Sequence, residues 1–154
     1  MVEKIIVDSS VISVPIAVRS KDDPAKLTDF VINFDIGDAA LMNAKNHQRE
    51  TQAKLDELKQ RYQTVMDKEI TNENLAEAVE AINGSLRVMF DGDFGEGMYD
   101  KIAQAGGGNS FVNMLELYTR VNDVIAQQVE NKVHKITQRS NNRKAKYLKK
   151  RRNR

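Results

Sequence analysis

Hydrophobic positions change period along this chain, and the changes mark its elements. From Glu3 to Arg19 the residues are rich in Ile and Val, which reads as extended chain. Pro15 lacks an amide donor and argues against a central strand there. The run SKDDPAK at 20–26 is turn chemistry, with Asp23 ahead of Pro24 biased away from helix. Residues 28–38 then alternate. Phe30, Ile32, Phe34 and Ile36 fall on one face, and Asp29, Val31, Asn33 and Asp35 on the other, as in a half-buried strand. The two segments are expected to pair as an antiparallel hairpin. A lone hairpin is marginal, so helices or another copy's strands must cover it.

The period then lengthens. With Asp38 as N-cap, a helix is expected from Ala39 to about Lys68, a stretch without Gly or Pro. Its seam is Leu41, Ala44, Gln48, Thr51, Leu55, Leu58, Tyr62 and Val65, spaced alternately three and four. The second half of that seam is apolar; Gln48 and Thr51 dilute the first. Thr71 or Asn72 is expected to cap a second helix carrying Leu75, Val79, Ile82, Leu86, Met89 and Phe90, ended by the breaker-rich run 91–97. A short amphipathic piece from Met98 to Ala105 turns Tyr99 and Ile102 inward. Gly106, Gly107 and Gly108 form a hinge. Asn109 or Ser110 then caps a last helix with Phe111, Leu115, Tyr118, Asn122, Ile125, Val129, Val133 and Ile136 on its apolar side, running on without a breaker. The fold class is therefore mainly α. An N-terminal β-hairpin segment (1–37) precedes an α-helical domain of about four helices (38–138). A basic tail (139–154) follows, flexible or extending the last helix.

Charge changes this picture most. Nine of the 24 Lys and Arg residues lie from Arg139 onward, while all 22 acidic residues lie before it. The last sixteen residues thus carry a formal +9 and the first 138 carry −7. Like charges cannot be buried together cheaply, so the tail points to something anionic outside itself. Three readings are open. Docking on an acidic protein surface ranks first and a solvated end second. A nucleic-acid arm ranks third, because Tyr147 is the tail's one stacking residue and an acidic body would repel a duplex lying beside it.

Candidate chemistry is sparse. Gly106 to Gly108 lacks the Lys and Ser/Thr that a phosphate loop needs right after its last glycine. Asp91, Asp93 and Glu96 invite a calcium loop, but Gly95, Glu96 and Ile102 stand where a ligand, a glycine and a glutamate belong. His47 and His134 are far apart, and no cysteine is present. No metal, no cofactor and no enzymatic activity are expected. No segment reaches the ~20 apolar residues of a membrane span, and the expected location is cytoplasmic.

The segment FDGDFGEGMYDKIAQAGGGNSFVNMLELYTRVNDVI and the closing QRSNNRKAKYLKKRRNR resemble the tail assembly chaperones of long-tailed phages of Gram-positive bacteria. In that family a β-rich start ends in an F-x-I-x-F-D strand, here Phe30 to Asp35. A charged helix follows, then a helix ending in a G-E-G-x-x-D-K-I turn (Gly95, Glu96, Gly97, Asp100, Lys101, Ile102). A further helix and a basic tail containing N-R close the pattern. Family turns often continue Phe-Gly, where this chain has Ala103 and Gln104.

The resemblance implies a non-enzymatic protein that binds the tape measure protein, keeps it soluble and helps recruit tail tube subunits. It also implies self-association, residence in the host cytoplasm and absence from the mature virion. A longer frameshifted form is common in the family, and Lys149-Lys150 is a natural place for slippery codons. The expected partner surfaces are the seam Leu55, Leu58, Tyr62 and Val65, which could equally pack on this chain's own helices, and the tail's Arg143, Lys144, Lys146, Lys149, Lys150, Arg151 and Arg152. The alternative function is a nucleic-acid-associated phage protein using its basic arm.

Overall fold

The structure is a computed structural model describing residues 2–106 and 110–152, the Met66 side chain excepted. Two strands, β1 (Val11–Arg19) and β2 (Leu27–Asp35), form an antiparallel hairpin. Five helical segments follow: α1 (Asp38–Arg61), the single turn α2 (Gln63–Met66), α3 (Leu75–Phe94), α4 (Met98–Ala105) and α5 (Phe111–Arg152). The mainly helical class with an N-terminal hairpin stands as expected.

The hairpin register sets Ile12 opposite Phe34, Val14 opposite Ile32 and Ile16 opposite Phe30. These residues share one face, and Ile12, Val14 and Ile32 are buried under the helices. The regular strand starts only at Val11; residues 2–10 lie exposed and irregular, so the extended segment is shorter than the Ile/Val content implied. Across the turn the Arg19 guanidinium donates to the Pro24 carbonyl, and the Ala25 amide donates to Asp23 Oδ1 at 3.2 Å. Asp35 Oδ1 accepts from the Gly37 amide at 2.7 Å and the Ser10 hydroxyl at 2.8 Å, and these bonds hold its pKa below the ordinary value.

Several helix boundaries differ from expectation. Gly37 occupies the N-cap of α1 and Asp38 is its first residue, where its charge still favours the helix N-terminus. The helix breaks at Tyr62 instead of continuing to Lys68. Asn74, not Thr71 or Asn72, precedes α3; its Oδ1 accepts the Thr71 amide at 2.7 Å and its amide donates to the Glu69 carbonyl. Leu75 stays exposed because it begins the helix beyond the reach of the core. The run expected to end α3 adds another turn to it, since Asp91, Gly92 and Asp93 remain helical and bury Phe94. The stop falls at Gly95, with φ 122°, followed by Gly97 at φ 81°, both conformations that favour glycine.

The short amphipathic α4 spans the expected residues and buries Tyr99 and Ile102. Gly106 ends α4 and its carbonyl accepts the Lys21 amide at 2.9 Å, tying it to the hairpin turn; Gly107, Gly108 and Asn109 lie outside the described residues. In α5 the inward residues are Met114, Val121 and Ile125, while Leu115 points out. The expected stripe holds at Phe111, Tyr118, Ile125 and Val129, which pack on the core, while Met114 is buried where Leu115 was expected and Val121 lies beside the expected Asn122.

Phe90 centres the core, edge-on to Phe94 and Tyr99 with ring centroids 5.6 Å away in each case, and 5.4 Å from Tyr118. This cluster joins α3, α4 and α5, and the hairpin closes over the same core.

Candidate functional site

No residue of α1 is buried, and the two halves of its seam have different fates. The second half closes on α3. Leu58 rests against Gly84, where an added Cβ would lie 3.4 Å from Leu58 Cδ2, and Thr51 sits over Gly92. Leu55, Leu58 and Tyr62 are half-buried in this contact, and Val65 in α2 is 5% exposed. Val65 is thus core and not a free partner surface. Gly92 of α3 provides part of the reason, since a Cβ there would lie 2.8 Å from Thr51 Oγ1.

The first half of α1 stays open. Ala40, Ala44 and Gln48 face Phe34 of β2 and Phe94 of α3 across a cleft of about 1220 Å³. Small and polar seam residues give α1 little reason to close there. Nearby, Leu41 is 61% exposed and Met42 is 83% exposed.

Two of the three acids of the 91–97 run, Asp91 and Asp93, are engaged within the chain. Asp91 Oδ1 accepts the Tyr99 amide at 3.2 Å, and Asp93 Oδ2 accepts the Tyr118 hydroxyl. Asp100 pairs with Arg87 at 3.1 Å, and that guanidinium lies 5.4 Å from the centre of the Tyr99 ring. The Tyr99 hydroxyl donates to Asn83 Oδ1 at 2.8 Å. The G-E-G-x-x-D-K-I turn therefore builds the α3–α4 corner. Among the described residues no group of three His, Cys, Asp or Glu side chains is placed to hold a metal ion, and no helix is long and apolar enough to cross a membrane. His47 and His134 are both exposed.

The tail is the second uncovered surface. α5 runs unbroken for 42 residues, through Arg143, Lys144, Lys146, Lys149 and Lys150 to Arg151 and Arg152. Every described residue from Val133 on is exposed. Val129 is the last to pack on the core, so the helix projects roughly 35 Å past it at 1.5 Å per residue. The tail extends the last helix as a basic arm. Asn153 and Arg154 lie outside the described residues. Proximally the arm shows Val133, 57% exposed, and Ile136, 68% exposed; its distal part is cationic. The sequence places Val133 and Ile136 on the apolar side of this helix, and among the described residues nothing covers them.

The molecule is thus a helical protein, capped by a hairpin and carrying a free basic helix. The chain belongs to the family described as "Family of unknown function (DUF6673)", which matches residues 28–154. No curated protein and no solved structure matches it.

Proposed function

We propose that this chain is a phage tail assembly chaperone that binds the tape measure protein, keeps it soluble and promotes tail tube assembly. The resemblance at Phe30 to Asp35 and Gly95 to Ile102 introduces the reading. The observation that carries it is the apolar helical surface the chain leaves uncovered: Leu41 and Met42 on α1, and Val133 and Ile136 on α5. A long helical partner with an exposed apolar stripe is the complement of such surfaces, and a helix-in-groove contact would cover both. The cleft between α1, Phe34 and Phe94 offers that groove. The role involves no bond made or broken and no cofactor. It places the protein in the host cytoplasm during assembly, outside the finished virion, with self-association and contact to tail tube protein as further expected partners.

Co-expression with the tape measure protein of the same phage tests the reading. The expected result is a soluble co-purifying complex, weakened at least tenfold by Leu41→Glu with Met42→Glu. A tape measure protein equally soluble alone, or this chain recovered in purified virions, would overturn it.

A further inference from the structure

We propose that the free arm of α5 is a binding site for the phosphate backbone of double-stranded DNA. The objection from the acidic body loses its force in this geometry. All 22 acidic residues lie at or before Glu130, and the arm continues from there as one unbroken helix without Gly or Pro. Arg139 stands roughly 15 Å and Arg152 roughly 35 Å beyond Val129 along the axis. The Debye length at physiological salt is about 8 Å, so the body's negative potential is screened over most of the arm.

The helix also arranges its charges. Lys132, Lys135, Arg139, Arg143, Lys146 and Lys150 follow one another at steps of three or four, which places them on a single face. That face is about 27 Å long at 1.5 Å per residue. None of the six has an ion-pair partner among the described residues, where Arg87–Asp100 is the one salt bridge. A row of uncompensated cations along a helix complements a polyanion whose charges are evenly spaced along an axis, and binding it releases counterions.

The form of the polyanion follows from shape. A helix with side chains is about 10–12 Å across and the B-DNA major groove about 12 Å wide, so the arm fits there with its cationic row along one phosphate backbone. The deep, narrow major groove of A-form RNA does not admit it. Single strands are held by aromatic platforms, and Tyr147 is the arm's one aromatic residue. The contact is sequence-blind, because Lys and Arg reaching phosphates carry no base readout. The proposal stands apart from the chaperone reading, which uses Leu41, Met42, Val133 and Ile136.

Fluorescence anisotropy of the full chain with a labelled random-sequence duplex, over about 50 to 200 mM salt, tests it. Binding is expected to weaken steeply with salt, with a log–log slope of about −5 for six phosphate contacts. The variant Arg139→Gln/Arg143→Gln/Lys146→Gln/Lys150→Gln should lose roughly 100-fold in affinity and most of that slope. Lys45→Gln/Lys54→Gln/Lys59→Gln/Lys68→Gln removes the same charge from the body and should bind as the parent does. Absence of binding at the lowest salt would overturn the proposal, as would equal loss in the two variants. Duplex RNA, single-stranded DNA or polyglutamate bound as tightly as duplex DNA would overturn it too.

Discussion

The Tyr118 hydroxyl of α5 donates to Asp93 Oδ2 in the last turn of α3 at 2.5 Å, pinning the root of the arm to the body. Burial of the phenol, then the hydrogen bond to Asp93 and its charge, push the Tyr118 pKa up to about 12. Because the folded-state value lies above the unfolded one, the folded chain holds this proton more tightly. The associated stability is complete below about pH 10 and is lost as pH rises towards 12. Ultraviolet titration of the four tyrosines should show a late-ionising group that disappears in Tyr118→Phe and moves to lower pH in Asp93→Asn. A parent titration with every tyrosine near 10 would contradict the contact.

The α1–α3 approach can be tested at its two glycines. At Gly84 an added Cβ would meet Leu58 at ordinary contact distance, so Gly84→Ala should stabilise by up to about 1 kcal/mol through helix propensity. At Gly92 the added Cβ would lie 2.8 Å from Thr51 Oγ1, and overpacking of about 1–3 kcal/mol should outweigh the propensity gain. In a Thr51→Ala background the sign should reverse. Urea denaturation of the parent and the four variants checks this; equal effects at Gly84 and Gly92 would mean that α1 does not rest on α3 as described.

Much of this fold was legible in the chain. The alternation of Phe30, Ile32 and Phe34 located β2, and Tyr99 with Ile102 located α4, because a strong amphipathic pattern leaves one face to bury. Helix ends were less legible. Asp91 to Phe94 stays helical despite Gly92 because Phe94 gains more from the aromatic cluster than a glycine costs in helix propensity. For the candidate site, the seam showed which α1 residues are apolar but not what covers them. That depends on the close approach at Gly92, which appears only once α3 is placed against α1. The arm's charge was plain from composition, whereas its continuity as a helix clear of the body required the structure.

The two kinds of α1–α2 surface should separate stability from binding. Val65 is core, so Val65→Ala should cost about 2 kcal/mol from lost burial and the cavity left behind. Leu41→Ser with Met42→Ser, both exposed, should change stability by no more than about 0.5 kcal/mol while impairing partner binding. Thermal melts beside the co-purification assay distinguish them. A large melting shift in the Leu41/Met42 variant would show that these residues are covered in solution.

The arm itself should be helical yet energetically separate from the body. Every described residue from Val133 on is exposed, and Arg139 with Arg143, and Lys146 with Lys150, repel at a spacing of four. Against that, cations in the last turn favour the C-terminal end of the helix dipole, and the arm continues a helix already nucleated and packed. Screening weakens the repulsion along the whole arm, so raising salt from about 0.01 to 0.5 M should increase the helical circular dichroism of the intact chain. The increase should vanish in a chain ending at Gln138. That truncation should leave the denaturation midpoint of the body unchanged, within about 0.5 kcal/mol, because every residue removed is exposed in the parent or outside the described set. A truncated chain that melts well below the parent would mean that the arm folds back onto the body, and both the uncovered proximal stripe and the DNA site would then be lost together.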